Sequence, residues 1–305
     1  KIKIWGVKYM KRRLVYAIGA IILGLGTLVG CGSGSQGAAS TAGASSDVSQ
    51  STQVEKTTIK FGTCPGPYGD MVKYAIKPSL EEKGYKVEII EFSDYVQPNL
   101  ALGKGEVDVN VFQHNVYFEN FKKEHQLELT KLINIPTAGL GFYSNKYKDV
   151  SEVAEGATFT VPNDVTNLRR ALLEAQKAGL LKIDETVEVA QFSEKNVLEN
   201  PLNLKITPVE AAQLPRTLDS ADLAAIPGNY ALSAGIDLNT AIYKEVLVED
   251  MKNIIAVRTS EVDSKFAKDI LEIVESETFN KVIESSEYQF SGFQKPEWHT
   301  TKWGK

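Results

Sequence analysis

The stretch Pro162-Asn163-Asp164-Val165-Thr166-Asn167-Leu168-Arg169-Arg170 gathers carboxylate chemistry into one helical turn. Asn163 or Asp164 can cap a helix, which leaves Asn167 and Arg170 in its first turn, near free backbone N–H groups and the positive end of the helix dipole. The planar fork of arginine can bond both oxygens of a carboxylate, so the segment reads as a carboxylate trap. Arg169 reads instead as part of a solvated helix face. His114 follows the apolar run Val109-Asn110-Val111-Phe112, and Tyr117 lies three residues further on. From pattern alone, a lone histidine in that place is more often structural than functional. Tyr95, in Phe92-Ser93-Asp94-Tyr95-Val96, is open between a pocket wall and core packing. Asn229 follows the apolar Leu223–Ile226, and its amide can both donate to a carboxylate and accept from an amino group.

Other chemistries find less support. The three histidines, His114, His125 and His299, show no metal-ligand spacing, and His125 and His299 read as surface residues. No nucleophile elbow, phosphate-binding loop or dinucleotide fingerprint occurs, so the sequence implies no cofactor and no enzyme. Cys64 is the one cysteine besides Cys31; it reads as a small buried hydrophobe, because no base stands near it in sequence. A net charge of −5 offers no basic stripe for nucleic acid.

These residues have to be positioned by a chain of 305 residues, 43% of them hydrophobic, enough for one large domain or two ordinary ones. Lys11, Arg12 and Arg13 precede an apolar run from Leu14 to Val29, the layout of a secretory signal, with Met10 read as the start. Leu28-Val29-Gly30-Cys31 resembles the lipobox of bacterial lipoproteins, which makes 1–30 a signal peptide and Cys31 the lipidated residue. A short transmembrane helix is the rival reading. Gly32 to Gln53 holds almost no large apolar side chain, so 31–56 reads as a tether between a membrane anchor and the folded part.

From Thr57 onward, strands alternate with helices. Strands are expected at 57–63, 86–92, 107–112, 158–161, 204–206 and 223–226, and helices at 71–83, 96–103, 167–179, 210–218 and 264–286. The fold class is α/β, with two lobes on mostly parallel sheets. Leu140–Ser144 and Asn253–Val257 are expected to be the two hinge crossings, giving one lobe from 57–142 plus 255–305 and a second from 143–254. That plan directs strand ends from both lobes at one cleft. The aromatic tail with Trp298 and Trp303 reads as packing onto a lobe.

The runs CPGPYGD, FSDYVQPN, VFQHNVYFEN, VPNDVTNLRRALL, EAAQLPR and IPGNYALSAG resemble, in this order, the NlpA/MetQ family of methionine-binding lipoproteins. The likeness spans roughly Thr57 to Val257. It implies the bilobed type II fold of periplasmic binding proteins, with ligand contacts from Tyr68, Tyr95, Phe112, His114, Tyr117, Asn167, Arg170 and Asn229. Arg170 would pair with the ligand α-carboxylate, and aromatic walls would suit a thioether. It further implies capture of L-methionine by a monomer that docks on an ABC permease with a separate ATPase. The sequence departs from the family's usual pattern at Tyr68, Val111, Asn115 and Pro227, and changes at Tyr68 and Val111 could reshape one end of the pocket. D-methionine, methionine sulfoxide or a methionine-containing dipeptide are therefore alternative ligands, and a surface adhesin without a transport role is the alternative from another class.

Overall fold

The computed structural model describes residues 56–304, so the signal segment, Cys31 and the tether before Lys56 lie outside the described residues. The chain begins with β1 (Thr58–Thr63), α1 (Pro67–Met71), α2 (Lys77–Glu82), β2 (Lys86–Glu91), α3 (Gln97–Lys104), β3 (Val109–His114), α4 (Asn115–Glu124) and β4 (Leu129–Asn134). Next come β5 (Gly141–Tyr143), β6 (Thr158–Pro162), α5 (Val165–Lys177), the small pair β7 (Lys182–Ile183) and β8 (Val197–Glu199), β9 (Lys205–Val209), α6 (Leu214–Thr217), β10 (Leu223–Ile226), α7 (Gly228–Ser233) and β11 (Tyr243–Lys244). It ends with β12 (Asn253–Arg258), α8 (Lys265–Val274), α9 (Glu277–Glu284) and α10 (Glu297–Trp303).

Two five-stranded sheets result, in the orders β2-β1-β3-β12-β4 and β11-β5-β10-β6-β9. β1 runs parallel to both β2 and β3, while β12 is antiparallel to β3 and β4. The second sheet repeats the plan: β6 is parallel to β9 and β10, and β5 is antiparallel to β10 and β11. Each sheet is covered on both faces, which is why inner strands such as β10 and most of β12 are apolar on both sides. In β12, Ile255 and Val257 enter one core with Ile59, Phe61 and Ile270, while Ile254 and Ala256 enter the opposite one with Leu102 and Phe118. In the second sheet, Phe142, Phe159 and Val161 face one core, and Ala224 and Ile226 the other.

The chain passes from the first sheet to the second between Asn134 and Gly141, and returns between Lys244 and Asn253. This corrects the expected hinges. Residues 141–143 belong wholly to the second sheet, and 253–258 form an inner strand of the first. The apolar character of both stretches reflects burial between layers; the crossings are the neighbouring segments 135–140 and 245–252. Two helices also differ from expectation. A turn of π-helix over Val72–Ile76 separates α1 from α2, and Ser276 splits 264–286 because its hydroxyl accepts from the Phe279 amide at 3.1 Å and starts α9. β4 is not evident from the sequence, because its apolar residues are interrupted by Thr130, Lys131 and Asn134.

Candidate functional site

The segments that leave β3, β6 and β10 assemble the cleft. β3 delivers Phe112, Gln113 and His114 to its edge, and His114 then caps α4, its Nδ1 accepting from the Tyr117 amide at 3.1 Å. An accepting Nδ1 puts the ring proton on Nε2, which lies 3.0 Å from Oδ1 of Asn167 on the other lobe. Burial, helped by the Arg170 charge, pushes the His114 pKa down to about 3, so the ring is a neutral donor.

After β6, Asp164 is the N-cap of α5; its Oδ1 accepts from the Asn167 amide at 2.9 Å and from the Thr166 hydroxyl at 2.8 Å. The Asn167 side-chain amide donates to both Asp164 oxygens, each at 3.1 Å, so its Oδ1 is turned toward His114 and Arg170. The cap predicted from the sequence is therefore present and fixes the orientation of the asparagine.

Arg170, which is only 6% exposed, does not present an empty fork. Its Nε and Nη2 donate to the two carboxylate oxygens of Glu245 at 2.8 and 2.5 Å, and Nη1 donates to Asn167 Oδ1 at 3.1 Å. Of the five N–H groups of a guanidinium, two are left, one on each Nη. The expected carboxylate trap is thus narrower than a free arginine: one side of the fork is filled by the protein itself. Nothing in the sequence singles out Glu245.

After β10, Pro227 and Gly228 lead to Asn229, whose Oδ1 accepts from the Tyr95 hydroxyl at 2.7 Å and whose Nδ2 donates to the Pro65 carbonyl at 3.1 Å. Both bonds join the lobes. A methyl group on Gly66 would stand 2.5 Å from the Asn229 carbonyl, and one on Gly228 would stand 2.6 Å from Ala138 Cβ, so glycine is what permits this close approach. Tyr95 packs on Phe112, Tyr117 and Tyr230 with ring centroids 5.9, 5.8 and 5.0 Å apart. Tyr68 is buried, and its hydroxyl accepts from the Ala138 amide at 3.2 Å, on the first crossing.

Tyr68, Tyr95, Phe112, His114, Tyr117, Asn167, Arg170 and Asn229 all line one small interlobe cavity. Sequence reasoning missed Gln113 and Asn253, which line it too. Asn253 donates to the Phe112 carbonyl at 2.9 Å, while Gln113 belongs to a buried amide network with Asn99 and Asn110. Val111 points into the core of the first lobe, opposite Phe112, so the departure at that position does not reshape the cavity.

The remaining candidates resolve simply. Burial pushes the Cys64 thiol up, and it donates to the Asp94 carbonyl at 3.2 Å. His125 is exposed and stacks on Phe121. His299, read as a surface residue, is fully buried: Trp298 donates to the Asn134 carbonyl at 2.7 Å and folds α10 onto the first lobe, with His299 beneath it. Among the described residues, no helix is long and apolar enough to cross a membrane.

The sequence profile described as NlpA lipoprotein matches residues 59–298. The chain belongs to the NlpA lipoprotein family. Among its relatives, the D-methionine-binding lipoprotein MetQ of Escherichia coli K12 is 35% identical over 282 residues, covering 90% of this chain and 94% of that one. A nutrient binding protein from Burkholderia cenocepacia bound to methionine superimposes with a TM-score of 0.72 at 36% identity, covering 77% of this chain and 97% of that structure. The crystal structure of the methionine binding protein MetQ gives 0.70 at 35% identity, with 75% and 94% covered. The bilobed α/β fold of NlpA lipoproteins is therefore the fold of this chain, and several of these relatives are named as binding proteins.

Proposed function

We propose that this NlpA lipoprotein is the substrate-binding component of an ABC importer and captures L-methionine in its interlobe cavity. The observation that carries the reading is the division of the cavity: Arg170 and Asn167 stand hydrogen-bonded together in its lining, while Tyr95, Phe112 and Tyr117 form aromatic walls, with Asn229 bonded to Tyr95. The remaining Arg170 N–H groups suit one end of an α-carboxylate, and the Asn229 amide suits the α-ammonium and carboxylate together. Aromatic walls favour a polarizable thioether by about 0.3–1.5 kcal/mol per sulfur contact. The groups suit capture better than turnover, because the Cys64 thiol is buried and His114 Nδ1 is already committed to the Tyr117 amide.

Methionine held between Arg170 of one lobe and the aromatic walls of the other binds the closed arrangement better than the open one, and that difference in affinity drives closure. A permease powered by a separate ATPase would then receive the closed form. Calorimetric titration of L-methionine into protein stripped of carried-over ligand by unfolding and refolding is expected to show saturable one-to-one binding. D-methionine, methionine sulfoxide and a methionine-containing dipeptide, titrated in parallel, rank the alternatives; the name of the Escherichia coli relative gives the D-enantiomer particular weight. A flat trace for all four from folded protein would end the reading.

Anchoring to the membrane would run through Cys31, whose thiol would carry the lipid that holds the protein on the extracytoplasmic face. Cells fed an alkyne-tagged palmitate are expected to label the wild-type protein and not Cys31→Ser. Label retained in that variant would place the acyl group elsewhere.

A further inference from the structure

Glu245 reaches the ligand cavity only through Arg170. It is buried, is the first residue after β11 on the return crossing, and does not itself line the cavity. Its position is fixed from several directions. Its Oε2 accepts from the Leu140 amide at 2.8 Å, and its own amide donates to the Leu140 carbonyl at 3.0 Å, tying it to the first crossing. Its carbonyl accepts from Gln294 Nε2 at 2.8 Å. Gln294 in turn accepts from the Leu247 amide and pairs both ways with the backbone of Thr137. The carboxylate is thus held by both crossings before Arg170 meets it.

The consequence is electrostatic. Among the residues lining the cavity, Arg170 carries the one formal positive charge, since His114 is held neutral by burial. Glu245 cancels that charge at hydrogen-bonding distance. The cavity therefore offers Arg170's donors without a net charge. A zwitterion enters with its charges already balanced, whereas a carboxylate lacking an α-ammonium would leave one unbalanced negative charge in a closed, dry site. Burying such a charge is costly.

We infer that Glu245 is a positioning and specificity-determining residue: by cancelling the charge of Arg170 while fixing its orientation, it restricts the cavity to α-amino acids and rejects plain carboxylic acids. This rests on the methionine-binding reading above. The test compares L-methionine with its des-amino analogue, the same thioether carboxylate without the amino group, in the full-length protein, by titration and competition. In the wild type, methionine is expected to bind at least about 100-fold more tightly. In Glu245→Gln the ratio is expected to narrow by about tenfold or more, and in Glu245→Asp, which keeps the charge, to return toward wild type.

A purely structural role for Glu245 would weaken both ligands alike and leave the ratio unchanged, and that result would overturn the inference. A second measurement needs no variant. Titration at pH 8, above the histidine range, in two buffers of different ionisation enthalpy is expected to show proton uptake with the des-amino ligand and none with methionine. Tight binding of the ionised des-amino acid by the wild type would overturn the inference equally. Absence of binding for both ligands in the folded wild type would overturn the functional reading and this inference with it.

Discussion

Arg170→Ala is expected to abolish measurable methionine binding and, in the same stroke, to destabilise the fold by about 3–5 kcal/mol. The two effects have separate causes. Binding is lost because the ligand carboxylate loses the charged donors left free by Glu245 and Asn167; hydrogen bonds to charged groups contribute about 1.5–3 kcal/mol each, so two of them amount to roughly a hundred- to ten-thousandfold in affinity. Stability is lost because Glu245, 4% exposed, is left buried without its partner. The separation can be tested with a double replacement. Arg170→Met with Glu245→Leu removes both charges and refills the volume, and such buried-pair replacements are often neutral or stabilising. Urea denaturation should therefore place the double variant above Arg170→Ala and below the wild type by about the 1–3 kcal/mol of the buried Leu140 amide that loses its acceptor, while calorimetry shows no binding in either. Retention of methionine affinity within threefold in Arg170→Ala would remove arginine from the site. A double variant no more stable than the single one would mean that the ion pair is not what Arg170→Ala breaks.

The same pair marks where the sequence can be read and where it cannot. Arg170 is legible because capping chemistry, helix phase and the motif around it are all local, and Asp164 caps α5 as its residue type implies. Glu245 lies 75 residues away at one end of Glu245-Val246-Leu247-Val248-Glu249, where nothing local separates it from the partly exposed Glu249. Its role exists only once the return crossing brings it beneath α5. The hinge positions are displaced for a related reason. Pattern identifies strands such as Asn253–Val257 by their apolarity, but a strand that changes lobes and one that lies inside a sheet have the same composition. The alternation across β3, by contrast, already places Val111 opposite Phe112, and the core packing follows that parity. His299 reads as a surface residue because its neighbours Thr300, Thr301 and Lys302 are polar, and only the anchoring of Trp298 shows which side of α10 is covered.

Acidification is expected to weaken both the fold and ligand capture through His114. In the closed protein its pKa is pushed down to about 3, against about 6.5 for a histidine in an unfolded chain. Below pH 6.5 the unfolded state therefore binds a proton that the folded state excludes. The contribution of the neutral ring is complete above pH 6.5 and is lost progressively as pH falls toward 3, reaching about 5 kcal/mol at the lower end and about 2–3 kcal/mol at pH 4.5. The upper part of this window lies above the range in which carboxylates ordinarily titrate. There His299, also pushed down by burial, acts in the same direction. Asp164, whose pKa is raised by burial, acts oppositely as it takes up a proton in the fold at higher pH than in the unfolded chain. Opening the cleft gives His114 back to water, so closure on a ligand must also expel its proton, and methionine affinity should fall toward tenfold per pH unit below about 6. Urea midpoints and titrations at pH 7.0 and 4.5, on the wild type and His114→Gln, separate the sources. The wild type should lose stability and affinity together, while the variant keeps only the share due to His299 and the carboxylates. A wild-type affinity that is flat across this range would mean that the ring carries the same proton occupancy in the open and closed protein, so that burial of His114 is not linked to closure.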